Sequence, residues 1–288
     1  MHIRCGFNIS YFCNMPTAMN FLLSVRPERE RDLIAPQVIN FDPWVPSRTY
    51  RDQFGNRVTR VLAPAGEIRV TSDFIIQDSG LLDEVGWDAP QHNVEDLPDD
   101  VMVFLMPSRY CDMEHLTDLA WSLFGHTRLG WERVQAIVDY AHNRIRFDYQ
   151  QARSTRTASE GHFEQVGVCR DFAHLAVTLC RCMNIPARYS TGYLGDIGVP
   201  IVPDPMDFSA WFEVYLGGRW WTFDARHNKR RIGRIVMAYG RDAVDVAIST
   251  AFGSAQLRDF EVITEEAHQV TSQSRSYETR FSSQTVTA

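Results

Sequence analysis

Gly167-Val168-Cys169-Arg170-Asp171-Phe172-Ala173-His174 sets a cysteine where a helix begins. Ahead of it, Glu164-Gln165-Val166-Gly167 carries no helical pattern. Behind it, Phe172, Ala173, Ala176, Leu179, Cys180 and Met183 recur at helical spacing until Asn184-Ile185-Pro186 ends the run. A thiol in that place faces the positive end of the helix macrodipole and the unpaired N–H groups of the first turn. The setting is expected to lower the thiol pKa and favour the nucleophilic thiolate. The competing reading is a buried small hydrophobe, the usual fate of a free cysteine. What surrounds Cys169 has to decide between them.

Forward of this helix, Ala187 to Leu194 reads as a strand, and a Gly/Pro/Asp-rich loop runs to Asp207. A hairpin follows. Phe208, Ala210, Phe212, Val214 and Leu216 alternate with Ser209, Trp211, Glu213 and Tyr215; Gly217-Gly218 makes a two-residue turn, and Arg219 to Arg226 returns. Counting back from the turn pairs Tyr215 with Trp220, Glu213 with Thr222, Trp211 with Asp224 and Ser209 with Arg226, all on one face. Ser209 and Asp224 are then diagonal neighbours, roughly 7–8 Å apart. A bulge would shift that register.

Before the cysteine, Leu116, Leu119, Ala120 and Leu123 suggest one helix, and Trp131, Val134, Ile137, Val138, Ala141 and Ile145 a second. The polar stretch from Ala152 to Glu164 reads as a loop and a wall of the cleft. It carries His162, expected to be solvated. Residues 1 to 107 read as β structure: Cys5, Phe7, Ile9 and Tyr11 alternate with polar or small residues, as do Met19, Phe21, Leu23 and Val25. Phe54-Gly55-Asn56 is a turn signal, and Glu67 to Gln77 another strand. The expected organisation is a sandwich-like β domain over 1–107, a core over 108–266 that includes a strand from Asp259 to Thr264, and a polar, frayed tail over 267–288.

The 288 residues suffice for two domains, and the 44% hydrophobic and 23% charged fractions are those of an ordinary globular protein. A net charge of −7 argues against nucleic acid or an anionic membrane as partner. The N-terminus lacks the apolar run of a secretory signal, so the six cysteines are read as reduced thiols and the location as cytoplasmic. No cofactor or metal site is expected. Cys180-Arg181-Cys182 lacks the spacing of a zinc knuckle, and no glycine-rich loop leads into Lys-Ser/Thr.

The Cys169 stretch, Ile185-Pro186-Ala187-Arg188-Tyr189, Gly192-Tyr193-Leu194, Ala210-Trp211-Phe212-Glu213-Val214-Tyr215-Leu216 and Trp221-Thr222-Phe223-Asp224 together resemble the bacterial transglutaminase-like family, which includes cysteine peptidases. The resemblance covers about residues 110–250, and the β segment before it looks like the N-terminal domain that often precedes this core. It implies an α+β, papain-like fold in which a helix with an N-terminal cysteine packs on an antiparallel sheet. It also implies a Cys-His-Asp triad acting on a peptide or protein amide, by hydrolysis or acyl transfer. Cys169 matches the nucleophile and Asp224 the acid.

The family's histidine position is Ser209, which cannot serve as a general base near neutral pH. Two readings follow. In the first, an enzyme has rewired its proton carrier. His227 is the nearest candidate in sequence but points away from Asp224 on a regular strand, unless the strand ends by Arg226; His162 is the other. His174, about 140° round the helix from Cys169, is read as a packing residue. A direct Cys169–Asp224 pair would raise the thiol pKa. In the second reading, a catalytically impaired relative uses the cleft to bind a polypeptide or partner protein. Trp211, Tyr149 and Gln150 are the candidates for substrate contact, with a second oxyanion donor from Tyr149–Gln150 beside the Cys169 N–H. Glu213 is assigned a hydrogen bond or salt bridge.

Overall fold

Alternation in the first third of the chain builds six strands: β1 (His2–Cys13), β2 (Thr17–Phe21), β3 (Asn40–Asp42), β4 (Ser47–Arg51), β5 (Arg57–Ala63) and β6 (Gly66–Gln77). The computed structural model describes residues 1–201 and 206–267; from residue 268 on, the tail expected to fray lies outside the described residues. β1 buries Ile3, Cys5, Phe7, Ile9, Tyr11 and Cys13 along one face, as a period of two requires. It runs antiparallel to β6 over its full length, from His2 opposite Gln77 to Cys13 opposite Gly66. β2 and β4 flank β5 in a second sheet. Met19, Phe21, Val61 and Ala63 of that sheet share one core with Ile3, Ile9, Ile68 and Val70 of the first. This is a β-sandwich.

The period then changes to helical. α1 (Thr117–Phe124) and α2 (Trp131–Arg144) are followed by the short β7 (Arg146–Phe147), α3 (Ala158–Glu164), β8 (Val166–Gly167) and α4 (Cys169–Cys182). The polar stretch expected as loop thus ends in a helix. Thr157 starts it with a capping box: its Oγ1 accepts the Glu160 N–H at 3.3 Å, and the Glu160 carboxylate accepts the Thr157 N–H at 3.0 Å. α4 is buried all round from Asp171 to Cys182. Phe172, Leu175, Ala176 and Leu179 meet Val134, Ile137, Val138 and Ala141 of α2 on one side, and Phe212, Val214 and Leu216 on the other.

Those last residues belong to a four-stranded antiparallel sheet ordered β11-β10-β9-β12, from β9 (Ala187–Tyr193), β10 (Ser209–Leu216), β11 (Arg219–Phe223) and β12 (Ile235–Gly240). Gly217 and Gly218 turn the hairpin with φ of 58° and 84°, the pair of positive values its two-residue loop demands. Tyr215 faces Trp220 and Glu213 faces Thr222, as counted from the turn. The ladder ends at Phe212 opposite Phe223, so the further pairs, Trp211 with Asp224 and Ser209 with Arg226, do not form.

The chain then returns to the sandwich. β13 (Ser249–Phe252) pairs with β2, and β14 (Ala255–Glu266) pairs with β1. The strand expected over Asp259–Thr264 therefore completes the first sheet instead of belonging to the core, because β1 otherwise offers an unpaired edge. Tyr193, Ile197, Phe208, Ile235 and Met237 join the sandwich core, which packs the two parts together. Among the described residues no helix is long and apolar enough to cross a membrane.

Candidate active site

Gly167 fixes how α4 begins. A Cβ there would lie 2.6 Å from Asp171 Oδ2. Without one, the Asp171 carboxylate folds back over the helix start, accepting the Val168 N–H at 2.8 Å and pairing with Arg156 at 3.1 Å. Cys169 is thereby held as the first helical residue, where its N–H has no carbonyl a turn earlier to bond. The Ala210 backbone on β10 favours the charged form of its sulfur. Burial pushes the thiol up to about 11, while the Arg226 guanidinium pulls in the opposite direction and Asp207 and Asp224 add to the rise. The net direction is opposite to the lowering expected from the helix terminus, because desolvation of the thiolate outweighs the Arg226 cation.

Cys169 stands where two cavities meet. One, of about 80 Å³, is lined by Tyr149, Asp196, Ser209, Arg226 and His227. The other is a groove of about 690 Å³ walled by Tyr110, Arg153, Arg170, Thr191, Phe208 and Val246.

β11 stops before Asp224, and Asp224-Ala225-Arg226-His227 forms a tight turn. Asp224 Oδ1 accepts the His227 N–H, and its Oδ2 meets His227 Nδ1, both at 2.9 Å. The condition under which His227 could reach Asp224, an early end to the strand, is thus met three residues before Arg226. Arg234 binds the same Oδ2 at 2.9 Å. Burial alone would push the Asp224 carboxyl up, but Arg234 beside it and the two bonds from His227 hold it well below the usual carboxylate range. Arg234 is buried as well, and its other carboxylate is Asp83, at 3.0 Å.

The transglutaminase-like superfamily model matches residues 120–225, the stretch from α1 to the turn after Asp224. A chain from Cytophaga hutchinsonii described as a putative cysteine protease is 30% identical, with a TM-score of 0.81, over 93% of this chain and 91% of that one. The chain belongs to the transglutaminase-like superfamily. The protein ML0607 of Mycobacterium leprae is 26% identical over 276 residues, 91% of this chain and 97% of its own length.

On this transglutaminase-like core the candidate residues separate into two groups. Cys169, Ser209, His227 and Tyr149 line one cavity, and Asp224 lies directly behind His227. The others lie elsewhere. Trp211 is 1% exposed and sits under the Arg234 guanidinium at 5.1 Å. It faces a separate cavity of about 790 Å³ with Glu213 and Tyr239, since β10 carries it a full pleat beyond Ser209. His162 is buried in α3, stacked on Tyr140, with Nδ1 3.3 Å from the Tyr140 hydroxyl; burial lowers its pKa. It lines neither cavity at Cys169. The Gln150 N–H is taken by Asp148 Oδ1 at 3.0 Å and is not free to hold an oxyanion. His174 packs, as expected, stacked on Tyr110 and accepting the Ala243 N–H at 3.1 Å. Glu213 pairs with Arg188 and accepts from Tyr239.

All six cysteines are free. Sequence reasoning missed Arg234 and Asp83. The one available signal was a buried aspartate that needs a cation, together with the basic run from Arg230 to Arg234.

Proposed function

We propose that the protein is a thiol-dependent amide hydrolase of the cysteine peptidase type, with Cys169 as nucleophile and a proton carrier moved from the position of Ser209 to His227. The observation that carries the reading is the 2.9 Å bond between His227 Nδ1 and Asp224 on the wall of the cavity that Cys169 also lines. With Nδ1 committed to the carboxylate, Nε2 is the nitrogen left to exchange a proton with the thiol. A thiol near 11 is neutral at rest. His227 therefore takes its proton as the sulfur attacks the amide carbonyl, and Asp224 stabilises the imidazolium that forms. The imidazolium protonates the departing amine. Water, activated by the same nitrogen, then releases the acid from the thioester and restores the thiol. The Cys169 N–H at the head of α4 is the first oxyanion donor. Ser209, on the same cavity, is suited to hold that water.

The groove at Cys169 suits a peptide or protein segment, and water is the default acceptor, which favours hydrolysis over transfer. Six free thiols fit a reducing, cytoplasmic setting. The test is acylation of Cys169 by p-nitrophenyl acetate near pH 7. Loss of a general base costs about 10²–10⁴-fold, so His227→Gln is expected to slow the reaction by at least the lower figure. A rate within about threefold of wild type sinks the role of His227. Ser209 and the raised thiol favour a second reading, a cleft that binds a polypeptide without cleaving it. Equal peptide binding by wild type and Cys169→Ala, with turnover by neither, selects that one.

A further inference from the structure

We infer that Asp83, supplied by the segment that leaves the sandwich, is a positioning residue for the Asp224–His227 pair. The inference rests on the reading of Cys169, His227 and Asp224 given above. Arg234 lies between two carboxylates, Asp224 at 2.9 Å and Asp83 at 3.0 Å, and all three side chains are nearly out of solvent. The formal charges are −1 for Asp224, +1 for Arg234 and −1 for Asp83, a net −1. With Arg234 and Asp224 alone the sum is zero, and an imidazolium forming at His227 has no net charge to balance it. Asp83 restores that charge.

Its own placement is over-determined. The Asp83 N–H donates to the Arg231 carbonyl at 2.9 Å, its carboxylate accepts the Arg231 N–H at 2.9 Å, and its carbonyl accepts Arg230 Nε at 2.5 Å. Further along, the segment is pinned again: the Ala89 carbonyl accepts the Trp131 N–H, and the Pro90 carbonyl accepts the Gly217 N–H. The sandwich side of the molecule thus reaches into the charge balance of the site. The other ionisable groups facing the His227 cavity are Arg226, Arg231, Asp196, Asp207, Tyr149 and Cys169, and the changes below leave each of them in place.

The test is the pH dependence of Cys169 acylation by p-nitrophenyl acetate in the full chain. Asp83→Asn is expected to move the acid limb down by about one pH unit, the scale of one charge several ångströms away through protein, and to lower the plateau about tenfold. Arg234→Gln leaves a net −2 and is expected to move the limb up. Combining Asp83→Asn with Arg234→Gln returns the sum to −1 and the limb towards its wild-type position. Asp83→Glu keeps the charge and is expected to retain the limb. A packing role would lower the melting temperature of these variants without moving the limb in opposite directions. An acid limb that stays put in both Asp83→Asn and Arg234→Gln overturns the inference. A wild-type limb that survives His227→Gln overturns instead the reading of the site on which it rests.

Discussion

Alkylation of Cys169 by iodoacetamide, followed from pH 6 to 10.5, measures the resting state of the nucleophile. Burial lifts its thiol from an ordinary value of 9.0 to about 11. The thiolate fraction at pH 7 then falls from about 10⁻² to about 10⁻⁴. A more basic thiolate is also more nucleophilic, with a Brønsted slope of about 0.4–0.5, so two pKa units return a factor of about six to ten. The net expectation is a rate at pH 7 roughly tenfold below that of a small peptide thiol, rising with pH and without a plateau by pH 10. Mass spectrometry of the Cys169 peptide separates it from the five other cysteines, all buried. Arg226→Gln removes the cation that opposes the rise and is expected to slow the reaction further. A plateau by pH 8 would refute the reasoning. It would mean that the imidazole and thiol already exchange their proton at rest, as an ion pair.

Ser209→His places an imidazole on the wall of the same cavity and is expected to lower the apparent alkylation pKa by at least one unit; an unchanged profile sinks the placement of Ser209 beside Cys169. Gly167→Ala brings a Cβ to 2.6 Å from Asp171 Oδ2. Loss of that cap and of the buried Arg156 pair is expected to cost about 2–4 kcal/mol, read from the urea midpoint, and a change under ~0.5 kcal/mol refutes the account of the glycine. The Asp224 carboxyl is held below its unfolded value, so its contribution to stability is complete above about pH 4 and is lost as pH falls further. Melting temperatures between pH 5 and 2 should accordingly fall more steeply for wild type than for Asp224→Asn, and parallel curves would contradict the depressed carboxyl.

What the sequence made legible was local. The period of two in β1, the period of 3.6 in α2 and α4 and the Gly217-Gly218 turn each depend on residues within a dozen positions of one another, and all three stand in the structure. The register of β10 against β11 was readable for the same reason, but only as far as Phe223. The polar residues after Asp224 allow an early end to the strand without fixing it, so the sequence leaves the side of His227 conditional on where β11 stops, which is at Phe223. Trp211 lines a different cavity from Cys169 for a related reason: alternation gives the face of a strand, not what lies opposite it. Asp83 and Arg234 are 151 positions apart, beyond any local pattern. At Cys169 the sequence displays the helix terminus, which favours the thiolate, and hides the burial that opposes it.

β1 lies between β6 and β14, and more than 240 residues of chain separate β1 from β14. During synthesis the helices and the β9–β12 sheet emerge while one flank of β1, twelve residues long, still has open N–H and C=O groups. Such an edge is a template for any passing strand, and long-range pairings of this kind form slowly. Nascent chains are therefore most exposed to cross-chain pairing late, after the candidate active site has its own residues in place. A truncation before residue 249 would make that hazard permanent, leaving β1 and β2 each with one open edge, so the insoluble fraction of such a fragment would report on the sandwich and not on the catalytic core.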